Sequence, residues 1–448
     1  MVDLATPKTA NPSLVAVAYS GGRDSTALLH ATALQAGLLN EAGASIYVLA
    51  LHVHHGLSES ADDWLRHCEL QCQNWAESGL PLRFQAHRLS GQPPAAQSVE
   101  AWAREGRHAA LAEMAERAGA TLLLLAHHQR DQAETLLLQG LRGAGVAGLA
   151  GMPGQQWRDS LCWARPWLTL PREAVEAYVR AYGLTHIEDD SNSDPRFARN
   201  RIRLSVWPAL LAAFPQAETS LAQAAAWAQQ SLALQQEVAD EDLLVLIDVS
   251  GLAVDGLLKL SPARATNALR AWLARQFERP APASLVQRLM RELPASKAGV
   301  WPCADGELRR YRDRLQWFAR GNLLLAEDRV APPMAIDLSA IGFHAVAAWR
   351  GGWQISQVLE GGIAGNRLKQ LTQRTRQGGE QFQLKPAGCL RSLKKVYQEQ
   401  GMPVWQRRGP LLFAGDSLVF VPGLGLDARF RAADGEPQLG LAWRFEGE

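Results

Sequence analysis

Apolar and polar positions in the first half of the chain form two alternating kinds of run. Four short, mainly apolar runs predict buried strands at residues 14–19, 46–53, 82–86 and 121–126. The stretches between them carry apolar residues at helical spacing and predict helices at 61–78, 97–118 and 131–141. Because strands and helices alternate, we expect an α/β fold for residues 1–215, an N-terminal doubly wound parallel sheet with ligands at the carboxyl ends of its strands.

The pattern changes after residue 215. Helical spacing continues over 214–239, 262–274 and 284–293, and residues 307–318 resemble a hairpin. Beyond a segment rich in proline and glycine, strand-like runs flank a predicted helix at 392–400. We therefore expect an α/β domain at 1–215, a mainly helical domain at 216–325, and a linker with a small α+β C-terminal domain at 326–448.

Composition indicates a globular protein of several domains. The chain has 448 residues, of which 47% are hydrophobic and 20% charged, and its net charge is +1. No apolar run approaches the roughly 20 residues that span a bilayer, and residues 1–12 lack the apolar stretch of a signal peptide. We therefore expect a cytoplasmic protein with no membrane partner.

The five cysteines are scattered along the chain and form no C-x-x-C pair. This spacing disfavours disulfides, iron–sulfur clusters and zinc sites. Cys68 and Cys72 lie four residues apart beside His67, so a metal site there is the alternative to the favoured interpretation, two cysteines on the core face of a helix.

A polar loop separates the first predicted strand from a further helix-like run at 26–36. Its members, all predicted to bind a nucleotide, are Ser20, Gly21, Gly22, Arg23, Asp24 and Ser25. Two glycines let the backbone approach a phosphate, and the helix start offers unpaired N–H groups and the positive end of its dipole. Asp24 is the candidate Mg²⁺ ligand, with helix capping as the alternative. Because the loop lacks the lysine of G-x-x-x-x-G-K-[ST], we expect it to hold the pyrophosphate of ATP, which predicts adenylyl transfer.

Three polar side chains follow the fourth predicted strand. His127, Asp131 and Glu134 are spaced i, i+4 and i+7, so they share one helix face if the helix extends back to His127. A solvated helix face would contain similar residues. Because these follow a buried strand, we predict that they point into the ligand cleft.

Two arginine-rich segments supply further candidate cations. Arg104 lies in the predicted helix at 97–118, and Arg199, Asn200 and Arg203 close a polar segment at 190–203. Guanidinium groups bind phosphate oxygens through paired hydrogen bonds. These residues are therefore expected to neutralise either ATP or the backbone of an RNA.

Histidines end the second predicted strand, at His52, His54 and His55. Zinc binding is conceivable for three histidines so close together, but no acidic ligand is near. We expect His52 instead to help shape an adenosine pocket, with simple packing as the alternative.

Basic residues cluster between Arg367 and Arg408, where only two glutamates oppose them. Tyr397 and Trp405 lie among these charges. The mixture of basic and aromatic residues favours an RNA-binding surface over a solvated basic face.

Taken together, these segments resemble the bacterial tRNA(Ile)-lysidine synthase family of PP-loop ATP pyrophosphatases, whose fold is like that of the adenine nucleotide α-hydrolases. The matching segments are 20–25, 52–57, 126–135, 190–203, 378–380, 393–395, 401–405 and 410–412. The resemblance covers nearly the whole chain, although the middle region matches only in position and length.

The resemblance implies ATP-dependent ligation of free L-lysine to C2 of the wobble cytidine-34 of tRNA(Ile) with a CAU anticodon. ATP first adenylates the C2 oxygen, and the ε-amine of lysine then attacks C2 and releases AMP. The modified base changes codon specificity from AUG to AUA. The family often forms homodimers, and the sequence does not decide whether this chain does.

Roles for the candidate residues follow from that chemistry as hypotheses. Asp131 and Glu134 hold the lysine ammonium, and His127 meets the activated cytosine or the α-phosphate. The charge at the adenylated centre is stabilised by Arg104, Arg199 and Arg203, with Asn200 fixing the geometry. Which group accepts the proton of the amine stays open.

Three rival functions remain to be weighed. A PP-loop tRNA thiolase also adenylates a pyrimidine but needs reactive or paired cysteines, of which this chain offers no convincing set. An ammonia-transferring synthetase needs an N-terminal cysteine nucleophile, which is missing. A tRNA-binding protein with a decayed nucleotide site is disfavoured by the intact loop.

Overall fold

The computed structural model describes residues 13–56, 60–91, 99–188, 194–320, 332–433 and 435–445. Parts of the motifs predicted above, residues 1–12, 57 and 190–193, lie outside these ranges. The chain divides into two compact units, Met1–Glu237 and Val238–Glu448, which are taken in turn. The division into three domains stays a prediction.

A six-stranded sheet forms the centre of the N-terminal unit, in the order β3-β2-β1-β4-β6-β5. Its strands are β1 Ser13–Ala18, β2 Ile46–His54, β3 Leu82–Arg88, β4 Leu122–Leu124, β5 Gln155–Arg158 and β6 Leu161–Ala164. Every pairing is parallel except that of β5 with β6. The predicted doubly wound parallel sheet is therefore confirmed, with an antiparallel edge strand added.

Helices cover both faces of this sheet. They are α1 Arg23–Glu41, α2 Ala61–Glu77, α3 Val99–Arg117, α4 Gln129–Leu141, α5 Val146–Leu149, α6 Arg172–Ala181, α7 Ala198–Arg201, α8 Trp207–Ala213 and α9 Ala217–Leu246. A π-helical turn, Ile202–Val206, joins α7 to α8. Helix α9 continues past the boundary of the unit at residue 237.

Side-chain alternation along β1 divides the core into two apolar layers. Val17 faces one layer, with Leu29 of α1 and the buried Cys68 and Cys72 of α2. The neighbouring Ala16 faces the other layer, which contains residues of α3 and β6. The two cysteines thus occupy the core face of a helix, as predicted.

Strand order places two loops side by side. The chain runs outward from β1 to β2 and β3, then returns to lay β4 along the other edge of β1. Val17 and Leu124 are paired in the register of those two strands. The loops that follow β1 and β4 therefore meet at a topological switch point, where α/β sheets bind their ligands.

The second unit begins with an antiparallel sheet against helices. Its strands, in the order β7-β8-β11-β10-β9, are β7 Ile247–Asp248, β8 Gly251–Ala253, β9 Ala298–Cys303, β10 Gly306–Tyr311 and β11 Arg314–Ala319. Its helices are α10 Val254–Leu257, α11 Pro262–Phe277 and α12 Ala283–Glu292. The predicted helices and hairpin are confirmed, but the expectation of a mainly helical region missed this five-stranded sheet.

The described residues in the rest of the second unit form three further sheets. A five-stranded sheet comprises β12 Met334–Ile336, β16 Leu371–Arg374, β19 Leu411–Ala414, β20 Ser417–Val421 and β21 Gly425–Leu426. A four-stranded sheet comprises β13 Gly342–Val346, β14 Gly351–Val358, β15 Ile363–Ala364 and β22 Gln438–Phe445. Strands β17 Gln381–Phe382 and β18 Arg391–Ser392 pair beside helix α13 Leu393–Glu399.

The aromatic residues of the basic cluster pack within this unit. Tyr397 is 2% exposed in a core cluster with Phe382 and Leu393, so it is not available to stack on a base. Trp405 is partly buried and lies edge-on to Tyr311 and Phe318. The interleaved aromatic residues that favoured RNA binding are therefore chiefly packing residues, while the basic charge of the segment remains.

None of the described helices is long and apolar enough to cross a membrane.

Candidate active site

The loop after β1 is a closely packed turn at the start of α1. Gly21 adopts a left-handed conformation, with φ of 83°. A side chain there would collide with Ile187 and with the Sγ atom of Cys68, which lies 2.7 Å from an ideal Cβ position. The backbone N–H of Ile187 donates to the Gly21 carbonyl at 2.9 Å. Gly21 is therefore required by both backbone geometry and packing.

Two serine hydroxyls organise the loop, and the helix start stays open. Ser20 Oγ and Ser25 Oγ lie 3.0 Å apart, and Ser25 Oγ donates to the Gly22 carbonyl at 2.9 Å. Gly22 is the N-cap of α1 and offers no side-chain acceptor to the first N–H groups of the helix. Those N–H groups and the helix dipole suit an anionic ligand, as the sequence predicted.

Asp24 lies in the first turn of α1 between Arg23 and His128. Arg23 Nε donates to its Oδ1 atom at 2.9 Å, and His128 Nε2 lies 3.6 Å from Oδ2. Burial alone would raise the pKa of this carboxyl, but His128 and Arg23 outweigh burial and lower it to about 2. Asp24 is thus ionised at neutral pH, as a Mg²⁺ ligand must be.

Helix α4 begins at Gln129 and does not extend back to His127. His128 is its N-cap residue, and its backbone N–H donates to Asp131 Oδ2 at 3.1 Å. His127 therefore precedes the helix, so the condition under which it would share a helix face with Asp131 and Glu134 is not met. The carboxylate of Asp131 sets this boundary, because it satisfies an N–H group at the helix start.

Asp131 and Glu134 are joined to two arginines from a distant segment. Arg203, in the π-helical turn, donates through Nε to Glu134 Oε1 at 2.7 Å and through Nη2 to Asp131 Oδ1 at 3.1 Å. Arg199 Nε lies 3.3 Å from Glu134 Oε2, and its Nη2 donates to Thr135 Oγ1 at 2.7 Å. Glu134 is 0% exposed, so its charge depends on this compensation. Four of the predicted catalytic residues thus form one network.

Asn200 has a different position from its neighbours. It is buried, and its Nδ2 donates to the Asp194 carbonyl at 3.0 Å. This hydrogen bond holds Asp194 against α7. Asn200 thereby helps to orient Arg199 and Arg203 indirectly.

His127 and Arg104 lie at the border of the network. Burial lowers the pKa of His127 to about 4, and the charges of Arg165, Arg199 and Arg104 add to this, while Asp131 opposes it. His127 is therefore neutral at pH 7. Arg104, on α3, is exposed and reaches His127 through its charge.

His52 contacts the backbone immediately before the nucleotide loop. It is buried at the end of β2, and its Nδ1 atom lies 3.0 Å from the Tyr19 carbonyl. Burial lowers the pKa of this imidazole, so it is neutral beside the loop. Tyr19 immediately precedes Ser20, so His52 lies beside the nucleotide loop. The role of His52 in shaping an adenosine pocket stays a prediction.

Sequence reasoning missed several residues of this site. His128 links Asp24 to Asp131, since its Nδ1 lies 3.5 Å from Asp131 Oδ2, and its position beside His127 was the available signal. Burial lowers the pKa of His128, but its two carboxylate partners, Asp24 first and then Asp131, outweigh burial and raise it. Glu176 accepts from Arg23 at 2.7 Å, and nothing in the local pattern indicated that contact.

Comparison with known proteins gives a consistent result over the whole chain. Family models match at residues 3–210 (PP-loop domain), 252–316 (TilS substrate binding domain) and 371–443 (TilS substrate C-terminal domain). The chain is 41% identical over 425 residues to a tRNA(Ile)-lysidine synthase of Ralstonia nicotianae, an alignment that covers 92% of this chain and 89% of that relative. The protein of the same name from Burkholderia pseudomallei is 39% identical over 452 residues, with the same shares covered.

Among solved structures, a U34-tRNA thiolase from Methanococcus maripaludis aligns with 48% of this chain and 72% of its own. The sequence identity is 15% and the TM-score 0.39, a likeness too low to bear on fold or function.

Gly21→Ala tests the packing of the nucleotide loop. The change combines a strained positive φ with a collision, so we expect it to lower the free energy of unfolding by about 2–5 kcal/mol in urea titrations. The matched control is Gly79→Ala, because Gly79 has φ of 98° but no atom within 4 Å of the added Cβ. It should cost only about 1–2 kcal/mol. Equal losses for the two variants would show that the contacts with Ile187 and Cys68 do not constrain the loop.

Proposed function

Since the chain belongs to the tRNA(Ile)-lysidine synthase family of ligases, we propose that it joins free L-lysine to C2 of the wobble cytidine-34 of tRNA(Ile) with a CAU anticodon. The reaction consumes ATP, passes through an adenylated cytidine, and yields lysidine, AMP and diphosphate. The product reads AUA instead of AUG. A cytoplasmic location and a homodimer remain expectations.

One observation carries the proposal. A continuous chain of polar contacts runs from Asp24 through His128 to Asp131, and from there through Arg203 to Glu134. It joins the phosphate-binding loop to the carboxylates that follow β4. The site for activating one substrate with ATP and the site for holding an amine therefore lie in the same cleft.

The first step uses the loop and its cations. The open N-terminus of α1 holds the pyrophosphate of ATP, and the C2 oxygen of cytosine attacks the α-phosphorus as diphosphate leaves. Asp24 has an ionised, partly exposed carboxylate that suits Mg²⁺, which would supply positive charge to the leaving diphosphate. Arg104, Arg199 and Arg203 provide further positive charge at the cleft.

The second step brings lysine to the carboxylates. The ε-ammonium binds beside Asp131 and Glu134, loses a proton, and attacks C2, and AMP leaves. At pH 7 this deprotonation costs roughly 4–5 kcal/mol from a pKa of ~10.4. Arg199 and Arg203 already neutralise much of the negative charge of the two carboxylates. The ammonium group of lysine therefore binds at a site with little net negative charge. This weakens the pull that would keep the proton on the amine.

His127 has a more restricted role in this scheme. With a pKa of about 4 it is a poor acceptor for the proton of an ammonium group. As a neutral imidazole with a buried Nδ1 atom, it suits a hydrogen bond to the activated cytosine or to the α-phosphate. We therefore place it at the base, with the target nucleotide turned out of its loop.

The tRNA itself would be held mainly by the second unit. Two TilS substrate domains match there, at 252–316 and 371–443, and the second contains much of the basic cluster. Phosphate contacts from Arg and Lys supply affinity, and their salt dependence is strong.

The three cysteines of the N-terminal unit do not support the thiolase alternative. Cys68, Cys72 and Cys162 are buried, and burial raises the pKa of the Cys68 thiol to about 12. A thiol held in this protonated form is a poor nucleophile. Nothing in the loop suggests a decayed site either, because its glycines and serines make the contacts described above.

The proposal is tested with purified protein, ATP, Mg²⁺ and radiolabelled lysine. Unmodified tRNA(Ile) bearing CAU should incorporate lysine and release one AMP for each lysine joined, whereas the methionine tRNA with the same anticodon should incorporate none. Release of AMP with tRNA but without incorporation would replace lysine by another nucleophile. Sulfur incorporation would establish the thiolase alternative.

Asp24→Asn and Asp131→Asn separate the two proposed subsites, and each serves as the control for the other. Loss of the Asp24 charge should raise the Mg²⁺ concentration needed for half-maximal activity, with little change in the KM for lysine. Loss of the Asp131 charge should raise the KM for lysine about tenfold or more, which corresponds to about 1.4 kcal/mol, and leave the Mg²⁺ requirement unchanged. An unaltered Mg²⁺ requirement in the first variant, or an unaltered lysine KM in the second, refutes the role given to that residue.

A further inference from the structure

A second group of basic side chains, three arginines and one histidine, lies on the α3 side of the sheet, outside the network of Asp131 and Glu134. Its central member is Arg165, directly after β6, and Trp163 lies two residues earlier on the same side of the strand. The guanidinium of Arg158 lies 4.8 Å from the centre of the Trp163 ring, and His108 of α3 lies 5.3 Å from it. We call Arg158, Arg165 and His108, with Arg104 at the border, the arginine wall.

Arg165 is fixed at the carboxyl end of the sheet. Its Nη1 donates to the Pro153 carbonyl at 2.9 Å, and its backbone N–H donates to the Gly154 carbonyl at 2.7 Å. The register places it beside the end of β4, since Leu125 N–H donates to the Ala164 carbonyl at 2.9 Å. His127 follows Leu125 by two residues. Arg165 and His127 therefore lie near each other, at the carboxyl ends of the adjacent strands β6 and β4.

One donor of the arginine wall is buried without an acceptor among the described residues. Arg165 is 8% exposed, and its Nε atom has no hydrogen-bond partner among the residues that the structure describes. The Nδ1 atom of His127 is in the same situation. No ion pair joins Arg165 to a carboxylate within the described ranges, although a buried cation without a counter-charge costs several kcal/mol. Among the described residues, this part of the sheet therefore has positive charge that a bound anion would neutralise.

Neighbouring charges point the same way. The charged neighbours that act most strongly on His108 are four arginines, Arg104, Arg158, Arg107 and Arg165, and together with burial they lower its pKa to about 4. Burial, Arg158 and Arg104 lower the pKa of Arg165 to about 10. The guanidinium groups therefore repel one another, and a bound anion would relieve this repulsion.

We propose that the arginine wall binds a phosphodiester of the substrate RNA next to the nucleotide that reacts. The proposal rests on the proposed function for the identity of that RNA. A phosphodiester is favoured over the phosphates of ATP because the nucleotide loop and α1 pack on the opposite layer of the core from α3 and Trp163. A planar guanidinium with a free Nε–H matches the paired oxygens of a phosphate.

Two variants and one control test the wall in the full-length protein. Arg158→Gln removes a charge from an exposed position, and Arg165→Lys keeps the charge but removes the Nε donor. The control is Arg117→Gln, at the far end of α3, where Arg117 is exposed and paired with Glu113. Thermal unfolding of each variant verifies that it is folded.

Binding is measured with unmodified tRNA(Ile) and with the methionine tRNA over a range of salt concentrations. Arg158→Gln should reduce the slope of log K against log salt by about 1, whereas Arg165→Lys and the control should leave it unchanged. Phosphate ethylation should interfere with binding of wild-type protein at one position near nucleotide 34. That interference should weaken in Arg165→Lys and persist in the control. The affinity for ATP without tRNA should be the same in every variant.

Two results would overturn the proposal. Reduced ATP affinity with unchanged tRNA binding would assign the wall to the nucleotide, and unchanged binding of both would make its role structural. A wild-type protein that does not prefer tRNA(Ile) to the methionine tRNA would contradict the proposed function. The salt slope and the ethylation pattern would still report on the wall, so the two failures can be told apart.

Discussion

The N-terminal unit depends on the compensation of one fully buried negative charge, that of Glu134. A carboxylate removed from water costs several kcal/mol unless cations and hydrogen bonds replace its hydration. Arg199 and Arg203 do this from a segment more than sixty residues further along the chain. The contact ties α4 to the π-helical turn, and π-helical turns are found often at functional sites. Without it, Glu134 would be a buried charge with no cation beside it, and Arg203 would lose its closest carboxylate.

The remaining site follows from that constraint through shared partners. Arg203 also bonds Asp131, Asp131 caps the start of α4 and lies near His128, and His128 lies near Asp24 in the nucleotide loop. Acidic and basic side chains alternate along these contacts, so each group compensates the charge of its neighbour. The sheet adds the geometry, since β1 and β4 are adjacent and their loops meet at the switch point. Nucleotide activation and amine binding can therefore occur in one cleft, with the arginine wall on the α3 side of the same edge.

Much of the fold and part of the site could be predicted from the sequence because they have local signatures. Apolar runs and helical spacing indicated the strands and helices around the sheet, and Gly21 with Gly22 marked the loop. The late start of α4 had no such signature, because it depends on how Asp131 satisfies the N–H of His128. The pairing of Glu134 with Arg203 was equally hidden, since a contact between distant segments leaves no periodic pattern. Tyr397 was counted toward an RNA-binding surface because basic residues surround it in the sequence. Those charges do not show whether the aromatic ring is buried.

A double-mutant cycle on Glu134 and Arg203 tests the central claim most directly. Unfolding free energies are measured for Glu134→Gln, Arg203→Gln and the double variant, with the exposed pair Glu113 and Arg117 as the reference cycle. The account predicts a coupling of about 2–3 kcal/mol for the buried pair and no more than about 0.5 kcal/mol for the exposed one. Additive effects within about 0.5 kcal/mol at Glu134 and Arg203 would contradict it.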